Sequence, residues 1–497
     1  KLKTSMKTRL LSPNPTSLHF SQLISHSLSE WVNNFFNCGL FIHRIRSPIF
    51  HIAKFNMSRL LAIGLLSFVV LSTSIVHGAQ LAFPGAEGFG RFSQGGRAGE
   101  VIFVTNLNDS GPGSLRAAVE AEGPRIVVFK VSGTIKLQST LRILNPRITV
   151  AGQSAPGDGI CLRRFPLNIS ADNVVVRFLR VRLGDEAGKL MDGIDVSNAE
   201  NVMVDHCSVS WTLDEGVNTY HGSKNITIQW CLISESLHNS PLRNGHGFAA
   251  SLGGMNSSYH HNLFANNAGR NPSIAGETSA PTINLDFRNN VIFNWQKRRL
   301  DGRPESINVV NNYYKAGPAS RELLSVVKMQ CLDTGSFGKW HVDGNLLETH
   351  LGIKKGNDLV TIDDRKRTVA SVLVGRPVQF APILTDTPEL AYEKVLDQAG
   401  SVLPKRDSHD QRIIREVRSG RTTFGDGIVS SQFDVGGWPV LNPAPAPTDS
   451  DADGMPDTWE RSFNPNHDLS WTSASDADGD GYTNIEEFLN NTDPNKK

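Results

Sequence analysis

The sequence has little excess charge, few cysteines and few aromatic residues. Its 497 residues carry 50 Lys and Arg against 49 Asp and Glu, a formal net charge of +1, with 5 cysteines and 8% aromatic residues. A chain without a basic excess lacks the electrostatic footprint of nucleic-acid binding, so we predict no nucleic-acid partner. The apolar run Leu60–Leu71 is too short to cross a bilayer as a helix. The function must therefore reside in local sites.

The start of the chain has the order of a secretory signal. Met57-Ser-Arg59 precedes the apolar run, and small residues follow around Gly78-Ala79. We predict a signal peptide over 57–79 and a secreted, extracellular protein whose mature form has no membrane span; a buried helix is the alternative. Residues 1–56 show no useful periodicity, and we interpret them as a non-native upstream extension.

Removal of this leader would leave four cysteines: Cys161, Cys207, Cys231 and Cys331. A secreted chain permits disulfides, but the sequence does not give the connectivity. Cys207 and Cys231 should be neighbours in one internal column, where buried packing thiols and a bridge are equally consistent with the pattern.

A short phrase recurs six times in the middle of the chain, and each copy alternates apolar and polar residues as a half-buried strand does. The copies are Asn173–Leu179, Asn201–Cys207, Asn225–Cys231, Asn256–Asn262, Asn284–Asn290 and Ser306–Asn312. Their similar spacing indicates a solenoid, because one unit cannot bury its apolar face without a stacked neighbour. We predict an all-β fold, a right-handed parallel β-helix; a β-sandwich is the alternative.

The last position of the phrase is Asn262, Asn290 and Asn312 in the final three copies. Asparagines stacked at one inward position can hydrogen-bond to each other through their side-chain amides. We therefore predict an internal asparagine ladder.

The rest of the chain divides by composition. Ser114 is the predicted N-cap of a short helix, Leu115–Glu120, that covers the open end of the coil. Further helices are predicted at Pro388–Ala399 and His409–Ser419. The predicted regions are the β-helix (80–347), a segment packed on its far end or flank (348–436), a proline-rich linker (437–448) and an acidic tail (449–497).

The tail contains two calcium-loop patterns, one after the other. Asp449–Glu460 and Asp476–Glu487 both fit D-x-D-x-D-G with a glutamate at the twelfth position, which suits Ca²⁺. Pro456 departs from a standard EF-hand, so the first loop also resembles the shorter thrombospondin type 3-like repeats. A merely solvated acidic tail is the alternative. The predicted ligands are Asp449, Asp451, Asp453, Asp457 and Glu460 in the first loop, and Asp476, Asp478, Asp480, Tyr482 and Glu487 in the second.

Several charged and polar residues lie seven to fourteen positions before a copy of the phrase and should therefore line one flank of the coil. They are Asp192, Asp214, Glu215, Asn218, His246, Arg270, Lys297 and Arg298. Neighbouring rungs are about 4.8 Å apart, so Asp192 and Asp214 could share one cation, with Arg270 about 10 Å further along. The positions of these residues in the repeat are equally consistent with a surface patch of ordinary solvated charges.

Four segments resemble the pectate lyases of polysaccharide lyase family one, and most closely its probable pectate lyase C subgroup. They are Ala86–Gly90, Val104–Arg116, Val150–Gly159 and Val204–Trp211, and the likeness covers roughly residues 82–420. The resemblance implies a right-handed β-helix that binds pectate (polygalacturonate) and Ca²⁺. It also implies β-elimination: an arginine takes the C5 proton of the uronate, and the 1,4 bond breaks to leave a 4,5-unsaturated end.

By position, the resemblance makes Asp192 and Asp214 calcium ligands and Arg270 the proton-abstracting arginine. The third aspartate position falls on Asn218, and Glu215 supplies the missing charge. Arginine stays protonated at ordinary pH, so residue chemistry alone would not select it as a base. A placed hydroxide, with Arg270 stabilising the developing carbanion, is the alternative.

The chain departs from the family pattern at the substrate positions. The family's substrate-binding lysine falls on Phe248, and two further arginines fall on Ser273 and Ala275. We therefore predict that His246, Lys297 and Arg298 contact the substrate instead, and that the protein is a monomer. Two other functions stay open: a polygalacturonase-type hydrolase that uses the same carboxylates, and a non-catalytic pectin-binding solenoid.

Overall fold

The computed structural model describes residues 79–219, 221–321, 324–466 and 471–497. The predicted upstream extension and nearly all of the predicted signal peptide lie outside these residues. Each helix in the described ranges is too short or too polar to cross a membrane.

The described residues coil through three sheets, and successive turns add one strand to each sheet in nearly every case. The first sheet is formed by β1 (Glu100–Val104), β2 (Arg125–Phe129), β5 (Ile148–Ala151), β8 (Val174–Arg177), β11 (Glu200–Asp205), β14 (Lys224–Gln229), β17 (Met255–His260), β20 (Ile283–Arg288), β23 (Ser306–Val310) and β26 (Lys339–Asp343).

The second sheet is formed by β4 (Leu141–Ile143), β7 (Leu167–Ile169), β10 (Ile194–Val196), β13 (Glu215–Thr219), β16 (Phe248–Leu252), β19 (Ser273–Ile274), β22 (Leu300–Gly302), β25 (Val327–Met329) and β29 (Val360–Ile362). The third is formed by β3 (Gly133–Lys136), β6 (Ile160–Arg163), β9 (Arg180–Arg182), β12 (Ser208–Ser210), β15 (Leu232–Ser234), β18 (Leu263–Ala265), β21 (Val291–Phe293), β24 (Tyr313–Lys315), β27 (Leu346–Thr349) and β28 (Gly352–Lys355).

The strand register reproduces the spacing of the sequence repeat. In the first sheet, Val202 pairs with Val174 and with Ile226, which occupy the same position in the preceding and following copies of the phrase. The later copies are aligned in the same way by the pairs of β14 with β17, β17 with β20, and β20 with β23. These pairings are parallel, so the predicted parallel β-helix is confirmed and the β-sandwich alternative is wrong.

The asparagine ladder forms inside the coil as predicted and is one residue longer. The Nδ2 of Asn262 donates to Oδ1 of Asn290 at 3.0 Å, and Asn290 donates in the same way to Asn312 at 3.0 Å. Asn312 continues the column to Asn345 at 2.8 Å. These side chains are buried, so the ladder satisfies amides that would be costly to leave unpaired.

Cys207 and Cys231 extend the asparagine ladder, and both are free thiols. The backbone N–H of Cys207 faces Sγ of Cys231 at 3.4 Å, and the backbone N–H of Cys231 donates to Oδ1 of Asn262 at 2.8 Å. Across the described ranges, Cys161, Cys207, Cys231 and Cys331 are all free. The packing interpretation therefore holds, and the disulfide alternative is wrong for this pair.

Helices cover one end of the coil and parts of the outer faces of its first and third sheets. In chain order they are α1 (Leu115–Glu120), α2 (Pro388–Gln398), α3 (Ser408–Ser419), α4 (Asp457–Phe463) and α5 (Asn484–Asn490), with short 3₁₀ helices at Phe89–Phe92, Gly152–Ser154, Asn357–Leu359, Val369–Ser371 and Gln432–Val435. Ser114 caps α1 by accepting a hydrogen bond from the N–H of Ala117, as predicted. Leu115 and Val119 of α1 join the main core, so this helix closes the apolar interior.

The helices α2 and α3 pack on the outer face of the third sheet. Val395 and Ile413 contact a layer that includes Leu263 and Val291. Beneath α3, the buried guanidinium of Arg182 forms ion pairs with Asp407 and Asp410. These two helices therefore cover a flank of the coil.

The coil itself is longer than the predicted β-helix region, which ended at residue 347. The strand β28 turns back to pair antiparallel with β27, and β29 then adds a parallel strand to β25. The irregular hairpin interrupts the spacing, which explains why the repeat is lost from the sequence before the coil ends at Ile362.

Candidate active site on the second sheet

The predicted site residues lie where neighbouring strands of the second sheet begin. Glu215 opens β13, and Asp192 lies just before β10. Phe248 opens β16 and is the register partner of Glu215. Arg270 lies shortly before β19. The stacked turns of the coil therefore bring together side chains that are far apart in sequence; we call Asp192, Asp214, Glu215, Asn218 and Arg270 the groove site.

Three carboxylates of the groove site form one cluster. Single oxygens of Asp192, Asp214 and Glu215 lie within 4.8 Å of one another. The backbone N–H of Glu215 donates to Oδ1 of Asp192 at 3.0 Å, and Nδ2 of Asn218 donates to Oδ2 of the same carboxylate at 3.0 Å. Burial, and then the charge of Asp214, raise the pKa of Asp192 to about 7. The cluster thus holds more negative charge than its own hydrogen bonds offset.

The donor set of this cluster suits a hard cation. Carboxylate and amide oxygens are the ligands that Ca²⁺ prefers. The Oδ1 atom of Asn218 is buried and has no hydrogen-bond partner among the described residues, so it is free to accept a cation. The residues present therefore fit Ca²⁺. Glu215 is almost fully buried and Asp192 is half-buried, which does not match an ordinary solvated patch.

Arg270 is fixed by three features. Its backbone has φ of 50°, a left-handed conformation that turns the chain before β19. Its Nη1 forms an ion pair with Oε1 of Glu215, and its guanidinium carbon lies 4.2 Å from the centroid of the Phe248 ring. Burial, and then the nearby charge of Arg298, lower the pKa of Arg270. The side chain is 32% exposed, so the guanidinium is accessible from the groove.

The three predicted substrate residues surround the groove site. The buried His246 ring donates from Nδ1 to the carbonyl of Leu213 at 2.9 Å, and its Nε2 lies 3.6 Å from Oδ1 of Asp214. Lys297 donates to the carbonyl of Gly245 at 3.1 Å. His246 therefore adjoins the cluster, whereas Lys297 belongs to the rim.

Arg298 occupies a basic cavity beside the groove site. Its Nε lies 2.7 Å from Oδ2 of Asp301, and its Nη2 donates to Oγ of Ser273 at 2.9 Å. With Lys297, Lys328 and other residues it lines a cavity of about 260 Å³. The lining has more basic than acidic residues, so the cavity suits a negatively charged ligand. Sequence reasoning noted Ser273 as a lost arginine but did not foresee that this position contacts Arg298.

In the tail, the aspartates of each predicted calcium loop lie close together. Asp449, Asp451 and Asp453 form one oxygen cluster, and Asp476, Asp478 and Asp480 form another. Burial and the loop carboxylates raise the pKa of Glu460 to about 7, with Asp453 the largest of these charges. The two oxygens of Asp457 accept hydrogen bonds from Ser450, and the Tyr482 ring lies beneath the guanidinium of Arg97.

Glu487 gives the second loop a distinct feature. The residue is 4% exposed, and within the described ranges its Oε2 has no hydrogen-bond partner. Burial raises its pKa, and the charges of Asp480, Asp478 and Asp476 act in the same direction. The tail also packs on the coil, because Met455 and Ile485 share an apolar cluster with Ile126 and Val128 of β2.

Comparison with known proteins finds relatives that share one name. No protein-family model matches the chain. The chain is 35% identical over 445 residues to a protein named probable pectate lyase C from Aspergillus flavus, covering 85% of this chain and 96% of that relative. A protein of the same name from Aspergillus terreus is 34% identical over 443 residues, covering 87% and 99%. The crystal structure of the major cedar pollen allergen, Jun a 1, matches with a TM-score of 0.46 and 18% identity, over 63% of this chain and 92% of that one.

Proposed function

This chain belongs to the pectate lyase family, and we propose that it is a secreted pectate lyase that cleaves 1,4-linked polygalacturonate by calcium-assisted β-elimination. The observation that carries the proposal is the groove site, where three carboxylates and a free amide oxygen lie beside a stacked arginine. The products would be 4,5-unsaturated oligogalacturonides.

Asp192, Asp214, Glu215 and Asn218 would hold the calcium ion. The bound ion supplies Lewis-acid chemistry, since it withdraws charge through the substrate carboxylate and so acidifies the neighbouring C5–H. The cluster is pre-oriented to hold such an ion, because Asp192 is fixed by the Glu215 backbone and the Asn218 amide.

Arg270 would receive the proton. As the C5–H bond breaks, its electron pair forms the C4–C5 double bond. The C4–O bond to the leaving sugar breaks with its electron pair on that oxygen, which takes a proton from water. The lowered pKa of Arg270 favours this role, because burial destabilises the charged guanidinium. A guanidinium that stays protonated would instead stabilise the developing negative charge while hydroxide removes the proton.

His246, Lys297 and Arg298 would contact the uronate chain on either side of the reacting sugar. His246 lies against the calcium cluster, and Arg298 lines the basic cavity one turn beyond Arg270. The protein would act as a monomer, since the groove site is formed within one chain.

The tail would bind two further calcium ions with a structural role. The two acidic clusters, and the buried, unpartnered oxygen of Glu487, support this assignment. The proposed ligands are those predicted from the loop pattern. The side chains of Asp457 and Tyr482 are the exceptions, because Asp457 bonds to Ser450 and the Tyr482 ring contacts Arg97.

The experiment is to incubate the mature protein with polygalacturonate, with added Ca²⁺ or with chelator. Ultraviolet absorbance of unsaturated products and reducing ends are both followed. A rise in absorbance that chelator abolishes is expected. New reducing ends without absorbance would indicate a hydrolase, and polymer binding without cleavage would indicate a binding solenoid; either result would refute the proposal.

A further inference from the structure

Phe248 lies at the centre of the charged groups of the active site. The residue is 7% exposed at the start of β16. The guanidinium carbon of Arg270 lies 4.2 Å from the ring centroid and that of Arg298 lies 5.9 Å away. The His246 ring is also near, with a centroid separation of 4.2 Å. One aromatic ring is thus shared by three groups that line the groove.

The position of this ring limits what Arg270 can do. A guanidinium is attracted to the negative face of an aromatic ring. The N–H groups of a guanidinium lie in its plane, so a ring against one face fixes the directions in which they can donate. One edge of Arg270 already faces Glu215. The ring therefore favours those Arg270 rotamers in which the N–H groups that do not face Glu215 lie alongside the groove.

The carboxylates of Asp192 and Asp214 compete with the Phe248 ring for the Arg270 guanidinium. Asp214 and Asp192 both attract the Arg270 charge. Without the ring, Arg270 could turn towards these oxygens and occupy the place of the cation. A lysine at position 248 would add a further positive charge near Arg270 and Arg298, whereas phenylalanine attracts both. The aromatic residue thus keeps the arginine from Asp192 and Asp214 without adding charge.

We propose that Phe248 is a positioning residue for the elimination, whose ring holds the Arg270 guanidinium against Glu215 and away from the other two carboxylates, Asp192 and Asp214. The proposal rests on the proposed lyase function. It makes position 248 part of the active site through Arg270 rather than through contact with the substrate.

The test compares Phe248→Leu and Phe248→Met, which keep an apolar side chain without a ring, with Phe248→Tyr, which keeps the ring. Phe92→Leu is the matched control, because Arg91 lies over the Phe92 ring at the same 4.2 Å outside the groove. Loss of a cation–π contact predicts a fall in kcat of about 3- to 30-fold in the Leu and Met variants, with KM unchanged. Phe248→Tyr should retain most of the wild-type kcat, and Phe92→Leu should retain all of it. Thermal unfolding identifies any variant that does not fold, and the other ringless variant then replaces it.

Wild-type kcat in the ringless variants, an equal loss in Phe248→Tyr, or a change in KM alone would overturn the proposal. A crystal structure of the calcium-loaded Phe248→Met variant gives an answer that does not depend on activity. The guanidinium of Arg270 is expected to move from Glu215 towards Asp192 and Asp214, and an unmoved guanidinium would refute the positioning role. If wild-type protein forms no unsaturated product, the lyase function fails, whereas the crystal structure still decides the role of Phe248.

Discussion

Replacing Asp192 with asparagine should remove a pH-dependent loss of stability from the calcium-free protein. In the folded state, burial and Asp214 raise the pKa of Asp192 to about 7. In the unfolded chain, an aspartate ionises near pH 4. Between these values the folded protein binds a proton that the unfolded chain has released. The free energy of unfolding therefore falls as the pH rises from about 4 to about 7, and this contribution is constant above that range.

The size of the effect follows from the pKa difference. A rise from the usual value to about 7 corresponds to about 4 kcal/mol at full ionisation, of which about 2–3 kcal/mol falls between pH 5 and pH 8. An asparagine side chain cannot ionise, so the Asp192→Asn variant lacks this part of the slope. Calcium should abolish the loss in the wild type, because the ion offsets the charge of the carboxylates.

The assay is denaturant unfolding of wild type and Asp192→Asn at several pH values, each with chelator and with calcium. Asp397→Asn is the control, because Asp397 is exposed on α2 and lies away from the groove. The difference in unfolding free energy between wild type and Asp192→Asn should change by about 2–3 kcal/mol between pH 5 and pH 8. Parallel pH curves for the two proteins in chelator would refute the assignment of a destabilised carboxylate to this position.

Three further predictions concern the fold and the tail. Arg182→Met should lower the free energy of unfolding by about 3–5 kcal/mol, because the buried Asp410 loses its guanidinium partner and Asp407 keeps only Arg180; a loss below about 1 kcal/mol in denaturant unfolding would contradict this. Asn290→Ala should cost about 2–4 kcal/mol by the same method, since it interrupts the buried ladder, and an unchanged midpoint would show that the ladder adds no stability. Calcium should raise the melting temperature of the wild type, and Glu487→Gln should reduce that rise; the same calcium-induced rise in both proteins, measured by calorimetry, would argue against a cation at the second loop.

The coil was predictable because its signal repeats. Five of the six copies of the phrase place two apolar residues, such as Val202 and Val204, at the same inward positions, and the fourth has Ser257 and Tyr259 there. The register of a whole sheet therefore follows from sequence offsets. The inward asparagine column was predictable for the same reason. A second column was missed: Asn201, Asn225 and Asn256 open successive copies, and their side chains are hydrogen-bonded to each other. Periodicity locates a column but does not tell whether its side chains pair.

The contacts of the candidate site were harder to predict. Register placed Asp192, Asp214 and Glu215 on one flank, and the structure puts their oxygens within 4.8 Å. The ion pair of Arg270 with Glu215, and the stacking of Arg270 on Phe248, depend on rotamers and on the left-handed turn at Arg270. A linear pattern does not encode these features. In the sequence, Phe248 counted only as a lost lysine.

The most direct test of the central claim is formation of the unsaturated product by Arg270→Lys beside the wild type, in saturating calcium. Arg303→Lys is the control, because Arg303 is half-buried and paired with Asp333 away from the groove site. The account predicts that the rate of absorbance increase falls at least about 100-fold for Arg270→Lys, the scale on which a proton-transfer group contributes, and stays at the wild-type value for Arg303→Lys. Wild-type rates in Arg270→Lys would contradict the assignment of Arg270 to the elimination.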